Sequence, residues 1–146
     1  MSCILRVSGN HNFRIDEYLT FSKLNAYSIY RIGEKRKHRM KLNSEFYETN
    51  GFQIEVSNAE FDDFDQQKSD ANTFLKENFD SLSQMRAYGL KSDNENSIYL
   101  DFAIENLYQD YYVQTKFLEP EILKLAGSLN IEIALSLYEP ASDDEE

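Results

Sequence analysis

The chain has one cysteine, two histidines and five glycines, and each absence removes a class of chemistry. A single cysteine, Cys3, leaves no intramolecular disulfide framework and suits a reducing compartment. Cys3 itself reads as a mildly apolar strand position rather than a reactive thiol. One cysteine with His11 and His38 cannot supply a structural zinc site, and both histidines sit in polar, loop-like sequence. The glycines, Gly9, Gly33, Gly51, Gly89 and Gly127, are all isolated. That excludes a G-x-S-x-G nucleophile elbow and the glycine-rich loops that cradle phosphates. No apolar run is long enough to span a bilayer, and "MSCILRVSGN" has neither a basic lead nor a long apolar stretch. No secretory signal and no membrane contact are expected, and a cytoplasmic location follows.

What is present is a 146-residue chain, 41% hydrophobic and 14% aromatic, enough to build one core and too apolar for a disordered segment. Charge is its most distinctive property. The formal net charge is −11, yet "RIGEKRKHRMK" (31–41) holds six of the fifteen Lys and Arg against one acid, Glu34. This segment carries +5, and the remaining nine bases and 25 acids carry −16. A body this acidic repels phosphate backbones and anionic membranes and attracts basic partners.

Periodicity sets the fold class. "CILRVSG" (3–9) alternates as a first strand, and "FRIDEYLTFSKL" (13–24) carries Ile15, Tyr18 and Leu19 at helical spacing. "AYSIYRIG" (26–33) and "FQIEVS" (52–57) read as two antiparallel strands with a long basic connection, and Asn50-Gly51 is a favoured turn pair. Between Phe61 and Met85, eight apolar residues fall on an arc of roughly 140°, the width of a core-facing helical stripe. Ser57 and Glu60 have capping-box spacing, although the acids at Asp62 also suit a helix start; Gly89 suits a stop. "SIYLDFAIE" (97–105) is a strand with Ile98, Leu100, Phe102 and Ile104 on one face. "YYVQTKFL" (111–118) reads as a further strand or an extended run. Pro120 opens a short helix over 119–129, and "IEIALSLY" (131–138) closes the fold as a strand.

The expected architecture is a single α+β domain over residues 1–140 with a flexible acidic tail at 141–146. It has a largely antiparallel sheet and about three helices in the order β-α-β-β-α-β-β-α-β. Two strand–helix–strand ends hint at pseudo-equivalent halves, without a residue-level repeat.

Chemistry is harder to place. Asp62, Asp63 and Asp65 cluster, as do Asp93 and Glu95, but the stretch from Asp93 puts Ile98 and Ile104 where an EF-hand needs glycine and glutamate. Solvated charge is the plainer reading, and no metal or cofactor is expected. With 26 acids, no carboxylate pair stands out as an acid-base couple, so no enzymatic activity is expected. The basic run is flanked by Tyr27, Tyr30, Phe46 and Tyr47, a partial match to a nucleic-acid grip. The plainest reading is a solvated strand connection whose charge discourages edge pairing; a protein interface ranks next and nucleic acid third. Ten tyrosines, with Tyr108, Tyr111 and Tyr112 beside Asp110, suit an acidic, aromatic surface that meets a basic protein.

The blocks "LRVSG" (5–9), "YRIGEKR" (30–36), "FQIEVSNAEFDDFDQQ" (52–67) and "FLEPEILKLAGSLNIEIALSLY" (117–138) resemble a family of small, mostly bacterial proteins, domain of unknown function 4279. The resemblance covers most of the chain in order. It implies a role like that of bacterial immunity proteins, which bind and neutralise a cognate toxin. The family's R/K-x-G-E block falls on Arg31, Gly33 and Glu34; the aromatic before it, expected as tryptophan, is Tyr30 here. No catalytic residue carries over. The expected partner-binding residues are therefore Arg31, Glu34, Arg36, Tyr108, Asp110, Tyr111 and Tyr112, facing a basic toxin domain. "RIGE" reads as the structured end of a strand, and "KRKHRMK" as a solvated connection. The alternative is a nucleic-acid-binding protein that uses the 31–41 segment.

Overall fold

A computed structural model describes residues 1–37, 44–91, 96–105 and 113–139. The expected acidic tail lies outside these residues. Five strands form one sheet in the order β2-β3-β1-β4-β5, where β1 is Cys3–Gly9, β2 Ser28–Tyr30, β3 Asn50–Ser57, β4 Ser97–Glu105 and β5 Glu132–Tyr138. All neighbours pair antiparallel except β4 and β5, which run parallel. Helices α1 (Ile15–Ser22), α2 (Phe64–Glu77), α3 (Phe79–Ser83) and α4 (Pro120–Ser128) complete an α+β fold, with a 3₁₀ turn at Met85–Tyr88.

The period-2 pattern of the central strands explains the layering. Cys3, Leu5 and Val7 of β1, Phe52 and Ile54 of β3, and Leu100, Phe102 and Ile104 of β4 turn to one face and are buried. Phe64, Ala71 and Leu75 of α2, Leu82 of α3, and Ile122 and Ala126 of α4 pack against that cluster. Each large aliphatic or aromatic side chain so buried contributes about 1.5–3 kcal/mol. At the α1 end, Tyr18 stacks on Phe52 at 6.0 Å and meets Tyr88 edge-on at 5.6 Å. The opposite sheet face carries polar links instead: Arg6 Nε donates to Asp101 Oδ2 at 3.0 Å, and Ser136 Oγ donates to Asp101 Oδ1 at 2.6 Å.

Three expectations change. The long helix over 61–85 is broken at Asn78, whose backbone N–H and side-chain amide both bond the Phe74 carbonyl (3.0 and 2.9 Å), ending α2. The apolar stripe survives the break because α3 and the 3₁₀ turn keep Leu82 and Met85 buried. The capping box is not formed either. Asp63 caps α2 by accepting from the Gln66 N–H at 3.1 Å, while Ser57 Oγ donates to Asp70 at 2.6 Å. Residues 113–118 form no strand. Of the two readings left open for this stretch the further strand is not formed, and the segment leads into α4.

Gly89 does end its element, at φ +94°, and an added Cβ there would collide with the Asn12 carbonyl. Pro120 occupies the first turn of α4, where its missing N–H costs nothing. Cys3 is fully buried. Burial pushes its thiol pKa far up, so it is an apolar core residue in practice.

Candidate functional site: the head of the basic hairpin

The basic segment is not a free loop in its described part. The ladder begun by β2 and β3 continues irregularly: Gly33 N–H donates to the Tyr47 carbonyl (2.9 Å), Tyr47 N–H to Glu34 (2.9 Å) and Arg36 N–H to Glu45 (3.0 Å). Lys35 and Phe46 form an antiparallel bridge. Gly33 adopts φ +86°, a bend that a side chain rarely tolerates, which is why an isolated glycine sits between Ile32 and Glu34. Lys35 and Arg36, expected in a solvated connection, thus belong to a hairpin. Residues 38–43, with His38, lie outside the described residues.

Two anchors fix this hairpin to the body. Arg31 grips Asp16 in the first turn of α1 through two nitrogens (Nε–Oδ2 3.0 Å, Nη2–Oδ1 2.6 Å) and reaches Glu34 at 3.3 Å. The guanidinium holds the Asp16 carboxyl below its usual range. Asn50 is the second anchor. Its Oδ1 accepts from the Ile32 N–H at 2.9 Å, and its amide donates to the carbonyls of Asn10 (3.4 Å) and Phe13 (3.3 Å). Asn50 and Gly51 therefore open β3 rather than form a turn.

On this frame stands a stack. The Tyr30 ring lies 4.7 Å from that of Tyr47 at an interplanar angle of 21°, and the Arg36 guanidinium sits 4.8 Å above Tyr47. Tyr30 covers Gly51, where any Cβ would collide with its hydroxyl. In the same hairpin, Ile32 and Phe46 are 43% and 48% exposed. The result is a platform of two tyrosines and an arginine in a hairpin that also carries two exposed apolar side chains.

The expected site residues divide accordingly. Arg31, Glu34 and Arg36 come together at the hairpin head, Arg31 and Glu34 as internal ties and Arg36 as part of the stack. Tyr108, Asp110, Tyr111 and Tyr112 lie outside the described residues. Sequence reading missed Asp16 and Asn50 as members, and had Tyr47 only as one of four aromatics flanking the basic run. The pairing of 33–36 with 45–47 is what brings Tyr47 onto Tyr30, and no local pattern announces it. Asp93 and Glu95 are also outside the described residues, and among those described no three His, Cys, Asp or Glu side chains stand close enough to hold a metal ion.

Two shallow, acid-lined grooves flank Lys68 on α2. One, of about 440 Å³, is lined by Asp65, Asn72, Lys76, Glu119 and Glu121; the other, of about 300 Å³, by Asp62, Asp63, Lys116 and Phe117. Lys68 holds Glu119 below its usual carboxyl range. Asp16 and Glu119 are thus both shifted toward the charged form, opposite to what a general acid needs. No helix among the described residues is long and apolar enough to cross a membrane.

No family model, no curated protein and no solved structure matches the chain.

Proposed function

We propose that the chain is a protein-binding domain that engages a basic partner through the hairpin head. In the finer reading it acts in the cytoplasm as an immunity protein, neutralising a basic bacterial toxin domain without catalysing a reaction. The observation that carries this is the anchored Tyr30–Tyr47–Arg36 stack in a hairpin that also exposes Ile32 and Phe46. Tyrosine and arginine held in fixed geometry are the side chains that dominate binding energies, because little entropy remains to be lost on contact. The charge of −16 outside residues 31–41 supports a basic partner, drawn in at an enhanced rate by the body and fixed by local contacts at the hairpin.

The hairpin's charge pattern weighs against nucleic acid. Arg31 and Lys35 direct their charge to Asp16, Glu34 and Glu45 of the same chain, where a phosphate grip would present it outward.

Co-expression with the product of the neighbouring gene tests the reading. A stable complex that protects cells from that product, with an association rate that falls steeply with salt, is expected. Arg36→Ala with Phe46→Ala should weaken it by about 10- to 100-fold, the usual loss for two central contacts. Absence of both complex and protection would refute the proposal.

A further inference from the structure

The two edges of the sheet are guarded very differently. The β2 edge is three residues long and runs into the bent, charged hairpin, two devices that keep an edge from pairing. The β5 edge is seven residues long, and from Ile133 to Tyr138 it carries no charge, no proline and no glycine. Among the described residues nothing pairs with its outer side. Leu135 and Leu137 are 43% and 63% exposed there. In register they stand beside Phe102 and Ile104, both buried, so an added strand would extend two existing apolar rows outward.

We infer that the β5 edge is a docking site for an extended, alternating apolar segment with basic flanks, supplied by another protein. Charge decides the occupant. The neutral stretch is bracketed by exposed Glu132 at one end and Glu139 at the other, with Glu105 opposite Tyr138. A second copy at this edge would bring together two bodies of −11, each with exposed Glu132 and Glu139 at the ends of the paired stretch. Lysine or arginine at both flanks converts the same brackets into attraction. Backbone hydrogen bonds would supply affinity and the two leucine rows specificity, as in strand addition generally. This surface lies at the opposite end of the sheet from the hairpin head and does not depend on the function proposed above.

Fluorescence anisotropy with the full chain and the labelled peptide Lys-Lys-Val-Thr-Val-Thr-Val-Lys-Lys tests it. Saturable binding is expected, at least about tenfold weaker for the same peptide with glutamate flanks and lost with proline at the central valine. Leu135→Lys should abolish binding. Leu137→Lys, at the more exposed position, decides the matter if the first variant does not fold by circular dichroism. Lack of saturation, or equal binding to wild type and both leucine variants, would overturn the inference. So would a wild-type dimer in sedimentation that Leu137→Lys dissociates, because the edge would then belong to a second copy.

Discussion

The Lys68 ammonium lies 2.6 Å from a Glu119 carboxylate oxygen, joining the middle of α2 to the residue that precedes α4. Lys68 also donates to the Phe117 carbonyl at 2.8 Å, stands 3.4 Å from Asp65 and rests 4.8 Å from the Phe64 ring centre. Its side chain is only 6% exposed, whereas Glu119 faces solvent. The lysine is therefore a buried post, and the approach segment before α4 is tied to it. Lys76 and Glu121 form a second ion pair about two helical turns further along α2.

Lys68→Ala should cost about 2 kcal/mol in urea unfolding, the scale of a lost charged hydrogen bond to a partly buried carbonyl. Lys68→Met, which keeps the packed stem, should recover part of that loss. The pH dependence has a definite sign. Lys68 keeps the folded-state pKa of Glu119 below its ordinary value of 4.5, so the pair's contribution is complete above that value and is lost as pH falls through the folded pKa. Glu119→Gln should remove this acid-side component and leave the profile near neutral pH unchanged in shape. An unaltered acid limb in Glu119→Gln would show that the pair contributes nothing to folding.

Gly51→Ala should be destabilising although the residue is in a strand. An added Cβ would strike the Tyr30 hydroxyl and stand 2.5 Å from the Val7 carbonyl, so the ring must leave its place over β3. A cost on the order of 2 kcal/mol is expected for such overpacking. The near-ultraviolet circular dichroism of the tyrosines should change with it, because the Tyr30–Tyr47 stack is lost. Retention of both the spectrum and the unfolding midpoint would mean that Tyr30 does not rest on Gly51.

Strand alternation and helical stripes made the α+β class legible, because Leu5, Phe52, Leu100 and Phe102 must share a face wherever the strands pair. The break at Asn78 was hidden, since the apolar stripe continues across it into Leu82 and Met85. The parallel β4–β5 pairing was hidden too, because alternation carries no strand direction. At the candidate site, Arg31, Glu34 and Arg36 were legible as a charged block. Tyr47 was legible only as one of the aromatics flanking that block and Asp16 not at all, since their roles depend on which residues α1 and the returning hairpin strand bring within reach. Asn50-Gly51 shows the limit most clearly. Turn chemistry and strand-opening chemistry use the same two residues, and only the carbonyls of Asn10 and Phe13 decide between them.

Cys3 should resist alkylation in the folded protein and react fully on unfolding. The thiol is completely buried, and desolvation with the negative field of Asp101 and Asp70 disfavours the reactive thiolate. Because folding raises this pKa, its contribution to stability is intact below the unfolded value near 9 and declines as pH rises above it. Iodoacetamide labelling followed by mass spectrometry, with and without urea, gives the readout. Rapid native-state labelling would place β1 at the surface and contradict the sheet order.

Arg31→Ala should separate anchoring of the hairpin from stability of the fold. Both partners of the Arg31–Asp16 pair are largely exposed, so the global loss should stay below about 1 kcal/mol. The local effect should be larger. Without this tie the hairpin head is held chiefly by Asn50 and its own backbone bonds, and Gly33 and Tyr47 donate the N–H groups that close it. Amide exchange at those two positions should accelerate several-fold while exchange in β1 is unchanged. Asp16→Asn should act in the same direction with a smaller effect, since an amide still accepts a hydrogen bond but no longer carries charge. A variant that loosens the platform without unfolding the domain should also bind its partner more weakly, through the cost of ordering Tyr30, Tyr47 and Arg36 on contact. Unchanged exchange at Gly33 and Tyr47 in Arg31→Ala would show that Asn50 and the ladder suffice, and that the Arg31 ion pairs are not what holds the platform rigid.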